Sequence, residues 1–271
     1  MKLQASLAVF CAVLCGAPAA SSQPARSERI VVQYVEPTDP AHKALYEVAK
    51  DNQVLERVRE LLVPIRWPRT LQLVLKGCDG ESNAFYENAV VTVCYEFLDD
   101  IWRAANSPRR PPAILREDAV AGPVLDVFLH ESGHALFDLL KIPLLGREED
   151  AADQTAAYYV LQLPKEVRRR LILGAAHSYA SELKVHSARD LYRPRLEVGR
   201  HVVSSDEHGT SAQRLYNLLC LAYGSDKELF ADVVQKGYLP EERAESCEDE
   251  YRQVDYAYRT LIAPHVDRAN R

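Results

Sequence analysis

His130-Glu131-Ser132-Gly133-His134 lies between two apolar runs, Val124-Leu125-Asp126-Val127-Phe128-Leu129 before it and Ala135-Leu136-Phe137 after it. The apolar flanks predict one buried helix from about Val124 to Leu140, ended by Ile142-Pro143-Leu144-Leu145-Gly146. On such a helix His130 and His134 are four apart and share a face, with Cβ atoms about 5–6 Å apart. Two imidazoles at that spacing can grip one tetrahedral Zn²⁺ at Zn–N distances of about 2.0–2.1 Å. Glu131 then stands beside the ion as a general base toward its water. Helix stability alone asks for no such arrangement. The plain alternative is an amphipathic core helix with two satisfied histidines, and the neighbouring sequence decides between them.

A catalytic zinc site takes three protein ligands and a water. The metzincin pattern, with a third histidine six residues past the second and after a glycine, is excluded, because Phe137 and Leu140 stand at those positions. Just past Gly146 comes Arg147-Glu148-Glu149-Asp150-Ala151-Ala152-Asp153-Gln154. Glu149 and Asp153 are four apart, so a helix here puts both on one face. Glu149 is then the expected metal ligand, and Asp153 the acceptor that orients a ligand imidazole through its far nitrogen. An acidic first turn also suits a helix N-terminus without any metal, and Glu148 and Asp150 stay open as alternatives to Glu149. Ala151-Ala152 suit close packing against the first helix.

The chain has 271 residues, 47% of them hydrophobic, enough for a sizeable core. Its N-terminus reads as an export signal, residues 1–20, with Lys2 as the positive start, Leu3 to Gly16 as a short apolar core and Ala17-Pro18-Ala19-Ala20 as the cleavage region. The formal charge of -6 becomes -6 - 1 = -7 once that segment, whose one charge is Lys2, is removed. That balance argues against nucleic acid and against anionic membrane surfaces, and no later stretch is long and apolar enough to span a bilayer. Cys78, Cys94, Cys220 and Cys247 remain after Cys11 and Cys15 leave with the signal. An even count in an exported chain implies two disulfides. Three pairings are possible; Cys78–Cys94 with Cys220–Cys247 closes the two local loops and is favoured. A Cys₄ zinc site lacks any C-x₂-C pair.

Along the rest of the chain, strands are expected at residues 29–35, 71–75 and 89–95 from their β-branched or alternating patterns. One helix is expected from residue 41 to residue 62 after the Asp39-Pro40 start, and a turn region from Cys78 to Tyr86 around Asp79-Gly80. A helix follows near residues 96–105, then the linker Ser107-Pro108-Arg109-Arg110-Pro111-Pro112. From there the pattern is almost wholly helical, at about 148–162, 165–185, 210–224, 227–236 and 241–262. Strands early and helices late make the class α+β. Residues 29–262 are read as a single domain, with an α/β part over 29–106 and a helical part over 113–262.

His130-Glu131-x-x-His134 followed by Glu149-x-x-x-Asp153 resembles the gluzincin pattern of thermolysin-like peptidases, although the separation of 149 - 134 = 15 is shorter than in thermolysin itself. More of the chain, roughly residues 30–262, resembles a bacterial family of unknown function described as metallopeptidases. The matching pieces are Cys78 with Asn83-Ala84-Phe85-Tyr86, Cys94-Tyr95-Glu96, the histidine helix, Gly146 to Gln154, and Gln213-Arg214-Leu215-Tyr216-Asn217 ahead of Cys220. The resemblance implies a zincin fold and a zinc-dependent peptidase. Asn83, Ala84 and Phe85 resemble the edge strand on which thermolysin-like enzymes align an extended peptide; a turn with an aromatic plug is the other reading. Among His177, His186, His201, His208 and His265, His208 in Asp206-Glu207-His208-Gly209 resembles the Asp-then-His pair that gluzincins set opposite the metal, with Tyr179 and Tyr216 as other possible donors.

The expectation is therefore an exported peptidase, periplasmic or secreted, acting on peptide or protein with no nucleic-acid partner and no stable membrane insertion once the signal is gone. His130, His134 and Glu149 bind zinc, Glu131 activates the zinc-bound water and His208 stabilises the oxyanion. The rival readings are a zinc-dependent amidase on a non-peptide or cell-wall substrate, and a non-catalytic binding protein that keeps a zincin fold.

Overall fold

The computed structural model describes residues 29–183 and 207–267. The expected signal segment and the histidines His186 and His201 lie outside the described residues. The chain opens with strand β1 (Ile30–Tyr34), then a 3₁₀ turn, Pro40–His42, in which Asp39 caps the Ala41 N–H at 2.8 Å. Helices α1 (Lys43–Asp51) and α2 (Val54–Leu62) cross over to β2 (Leu71–Lys76), which runs parallel to β1. A short hairpin, β3 (Ala84–Glu87) and β4 (Val90–Cys94), then places β4 parallel to β2 and leaves β3 antiparallel at the far edge, in the order β1-β2-β4-β3. The hairpin turn is Asn88-Ala89, with φ of 51° and 65°, the left-handed pair that a two-residue hairpin needs. The central strands β2 and β4 are largely buried, with Gln72 of β2 exposed, as strands covered on both faces are.

Helix α3 (Tyr95–Ala105) leads to α4 (Arg116–Leu140), the helix that carries His130 to His134. It packs against β3, β4 and α3 on one side and against α5 (Glu148–Leu161) and α6 (Lys165–Glu182) on the other. After the described residues resume come α7 (Ser211–Ser225), α8 (Ala231–Gln235), α9 (Glu241–Ala244) and α10 (Cys247–Ala257), which runs into a π turn at Tyr258–Ile262. One hydrophobic core reaches from Ile30 to Val266. Glycine sets the closest helix contact. A Cβ added at Gly174 would lie 1.9 Å from the Asp118 carbonyl oxygen, and one at Gly122 2.4 Å from that of Leu171, so α4 and α6 touch backbone to backbone.

The class is α+β, a small sheet followed by mostly helical chain, as the sequence indicates. Four local expectations are corrected. The single helix over 41–62 is two, because Asn52 caps Val48 with its side-chain amide at 2.8 Å, Gln53 turns left-handed and the Tyr34 hydroxyl receives the Leu55 N–H to start α2. The motif helix begins at Arg116 rather than Val124 and contains Pro123, giving up the hydrogen bond that proline cannot donate. The turn region at Cys78–Tyr86 includes strand β3. The last helix is interrupted before Cys247, where the bridge to Cys220 pins it to α7.

Both favoured disulfides are formed, Cys78–Cys94 with Cα atoms 5.6 Å apart and Cys220–Cys247 at 4.9 Å. Among the described residues no helix is long and apolar enough to cross a membrane. Two disulfides fit a chain that folds in an oxidising compartment.

Candidate metal centre

Helices α4 and α5 build the site together. Gly133 lets them meet, since a Cβ there would already stand 3.2 Å from the Cα of Ala152. This close approach lays the acidic start of α5 over the two histidines. The Nε2 atoms of His130 and His134 are 3.2 Å apart, and Glu149 Oε2 is 3.1 Å from the first and 3.5 Å from the second. Donor atoms bound at about 2.0–2.1 Å in a tetrahedron stand about 3.3 Å from one another. These three donors stand at the separation that such an ion requires, and two imidazoles with a carboxylate are donors that a tetrahedral ion accepts.

The far nitrogens are held as well. Asp153 Oδ1 is 2.8 Å from His130 Nδ1, and Glu148 Oε1 is 2.8 Å from His134 Nδ1. Both Nε2 atoms are thereby directed toward Glu149. The three acids that open α5 thus take different positions, since Asp150 borders a small cavity with Asp153, Gln154 and Leu218. His208 joins from the chain ahead of α7, with Nε2 2.8 Å from Glu149 Oε2 and its ring stacked on His130 at 5.7 Å. Arg147 donates to the Glu207 carbonyl and so ties the start of α5 to the His208 segment. An open cleft lined by His134, Arg147, Glu148, Glu149 and Glu207 reaches this cluster from solvent.

Electrostatics follow the same plan. Burial alone would push the His130 pKa down, but Asp153 and Glu149 outweigh it and raise it to about 9. The hydrogen bond from His130 lowers Glu149 to about 2 against its partial burial. Asp153 also falls to about 2, because His130 and Arg214 overcome its burial. Glu131 behaves oppositely. It is 6% exposed, and burial moves its carboxyl upward despite both histidines.

A family model described as "Putative metallopeptidase" matches residues 34–262. The chain belongs to this family. No curated protein and no solved structure matches the chain. Membership points to a metal-dependent peptidase, and His130 of α4, Glu149 of α5 and His208 ahead of α7 place their donor atoms close enough together to hold a metal ion, with His134 Nε2 beside them.

Set against this metallopeptidase family, the structure brings together His130, Glu131, His134, Glu149, Asp153 and His208 at one place. Ala84 and Phe85 lie on β3 and Asn83 just before it, beside α4, to which Tyr86 is bonded through Asp138 Oδ2 at 2.6 Å. The Cys94 N–H reaches the Asn83 carbonyl at 3.0 Å, so alternation along the ladder turns the peptide groups of Ala84 and Tyr86 to the outer edge, where the Ala84 N–H donates to Asn83 Oδ1 at 2.9 Å. Phe85 pairs with Thr92 of β4 and stacks its ring under Lys76. His177 is buried in α6 beside Ala104, and the His265 carbonyl takes the Arg66 N–H. Tyr179 bonds Asp126 instead of facing the cleft. The sequence assigns no role to Arg214 and does not foresee Glu148 as the partner of His134 Nδ1. For Arg214 the signal was an arginine amid the apolar residues of α7; Glu148 was considered only as a metal ligand.

Proposed function

We propose that the chain is a zinc-dependent peptidase of gluzincin type with a zincin fold, formed by one domain over residues 29–262 and exported to act on peptide or protein substrates. The observation that carries this reading is the convergence of His130, His134 and Glu149 at 3.1–3.5 Å beside a buried Glu131. Those three side chains would hold the zinc, which when bound supplies a Lewis acid that polarises a carbonyl and acidifies water. Glu131 takes the proton of the attacking water and returns it to the leaving amine nitrogen. Asp153 and Glu148 hold the imidazoles in place through Nδ1. His208 offers Nε2 toward the negative charge that develops on the scissile carbonyl oxygen. The outer edge of β3, running beside α4, supports the pairing of an extended peptide through Ala84 and Tyr86.

Glu131→Gln tests the reading because it keeps size and polarity and removes only the base. The variant is expected to bind zinc like the wild type and to lose peptide hydrolysis by at least about 10²–10⁴-fold. Substantial turnover of a peptide library by zinc-loaded Glu131→Gln would overturn the assignment.

A further inference from the structure

Behind His130 the polar contacts close into a ring that runs through four helices. Asp153 of α5, which holds His130 Nδ1, receives two hydrogen bonds from Arg214 of α7, Nη2 to Oδ1 at 2.6 Å and Nε to Oδ2 at 2.8 Å. The guanidinium lies over the ring of Tyr179 on α6, 4.7 Å from its centroid. The Tyr179 hydroxyl donates to Asp126 Oδ2 at 2.6 Å. Asp126 stands on α4 four residues before His130, one turn back on the same face. The circuit therefore leaves α4 at His130 and returns to it at Asp126.

We propose that Arg214 is a positioning residue for the metal, acting through Asp153 on His130; this rests on the peptidase reading above. A carboxylate alone can rotate about χ2 and tilt the imidazole it holds. A planar fork on both of its oxygens removes that freedom, and Arg supplies the fork where Lys offers a single point of charge. Stacking on Tyr179 fixes the plane of the fork in turn. Arg214 is thus the link by which α6 and α7 set the direction of His130 Nε2, although neither helix supplies a metal ligand.

The test measures zinc dissociation constants, by competition with a chromophoric chelator, for the full chain and for Arg214→Gln, Arg214→Lys, Asp153→Ala and the Asp153→Ala/Arg214→Gln double variant. Melting of the chelator-treated proteins serves as the control for folding. Arg214→Gln is expected to bind zinc about 10–100-fold more weakly, the usual loss when the support of a ligand is removed. Arg214→Lys should fall between the two. In the Asp153→Ala background Arg214→Gln should cost nothing more, because the path through Asp153 is already cut. Equal losses in both backgrounds, or wild-type affinity in a folded Arg214→Gln, overturn the role. Should Arg214→Gln fail to fold, wild-type affinity in Arg214→Lys overturns it as well. A wild type that takes up no zinc defeats the peptidase reading itself, which separates that failure from this one.

Discussion

Replacing Gly174 by alanine puts a methyl group where α6 touches the backbone of α4. The added Cβ would sit 1.9 Å from the Asp118 carbonyl oxygen and 2.7 Å from its carbon. Carbon and oxygen approach no closer than about 3.3 Å in ordinary contacts, so the helices must part by roughly 1.4 Å along this line. The obstacle is backbone and cannot swing aside. Such overpacking costs about 3 kcal/mol, the upper end of its usual range. Alanine returns about 1 kcal/mol through its better helix propensity. The net loss of about 2 kcal/mol lowers Tm by about 4–8 °C for a domain of this size. Gly122→Ala meets the Leu171 carbonyl oxygen at 2.4 Å across the same pair of helices. Once the pair has parted for one methyl, the second finds room, so the double variant should lose clearly less than the sum. Urea unfolding and calorimetry of the chelator-treated proteins decide it. A Gly174→Ala protein as stable as the wild type, or strictly additive losses, would refute the close approach of α4 and α6.

Other perturbations read other parts of the fold. Gly133→Ala pushes against the Ala152 backbone at 3.2 Å, moving α5 by a few tenths of an ångström; zinc affinity should fall while Tm changes little, and competition titration checks it. His208→Ala should keep zinc and lower kcat about 10²–10³-fold; zinc lost together with the rate would make His208 a ligand instead. Reduction should cost more at Cys220–Cys247 than at Cys78–Cys94, about 3.6 against about 3 kcal/mol from loop lengths of 27 and 16 residues, read from urea midpoints of the two Cys-pair→Ser variants. Acid should weaken the fold. Glu96 is held below its ordinary pKa of 4.5 by the Gly80 and Cys78 N–H groups against its burial, and Asp226 below 3.8 by the Leu229 N–H and Lys165. Because both are depressed in the folded chain, their stabilisation is present above those ordinary values and disappears as pH falls through the lower folded ones. The share of the urea midpoint that these two carboxylates supply should therefore hold down to about pH 5 and be lost below about 4, read as the difference between the wild type and a Glu96→Gln/Asp226→Asn variant.

Much of the centre was legible because it is local. His130 and His134 repeat at helical spacing, and Glu149 and Asp153 do so on the next helix, so two short periodic patterns fixed four of the groups. The cysteine pairs were legible for the same reason, each closing a short loop. Arg214 was not, since its partner Asp153 lies 61 residues away and only the packing of α7 on α5 brings them together. Helix boundaries failed where backbone geometry overrode pattern. The Gln53 break depends on a left-handed residue that is not glycine, and Pro123 sits inside a helix that its neighbours complete on both sides. Strand β3 is only four residues long and half-buried, too brief for alternation to reveal.

The three donors that meet at Glu149 all come from the twenty consecutive residues between His130 and Glu149. Bringing such a short contour together carries little closure entropy. The α4–α5 connection alone therefore brings these donors together, whereas His208 and Arg214, some sixty residues on, join only through the packing of the later chain. On the proposed reading, the ligand set is thus a property of two sequence-adjacent helices, while the groups that orient and assist it depend on how α7 docks against them.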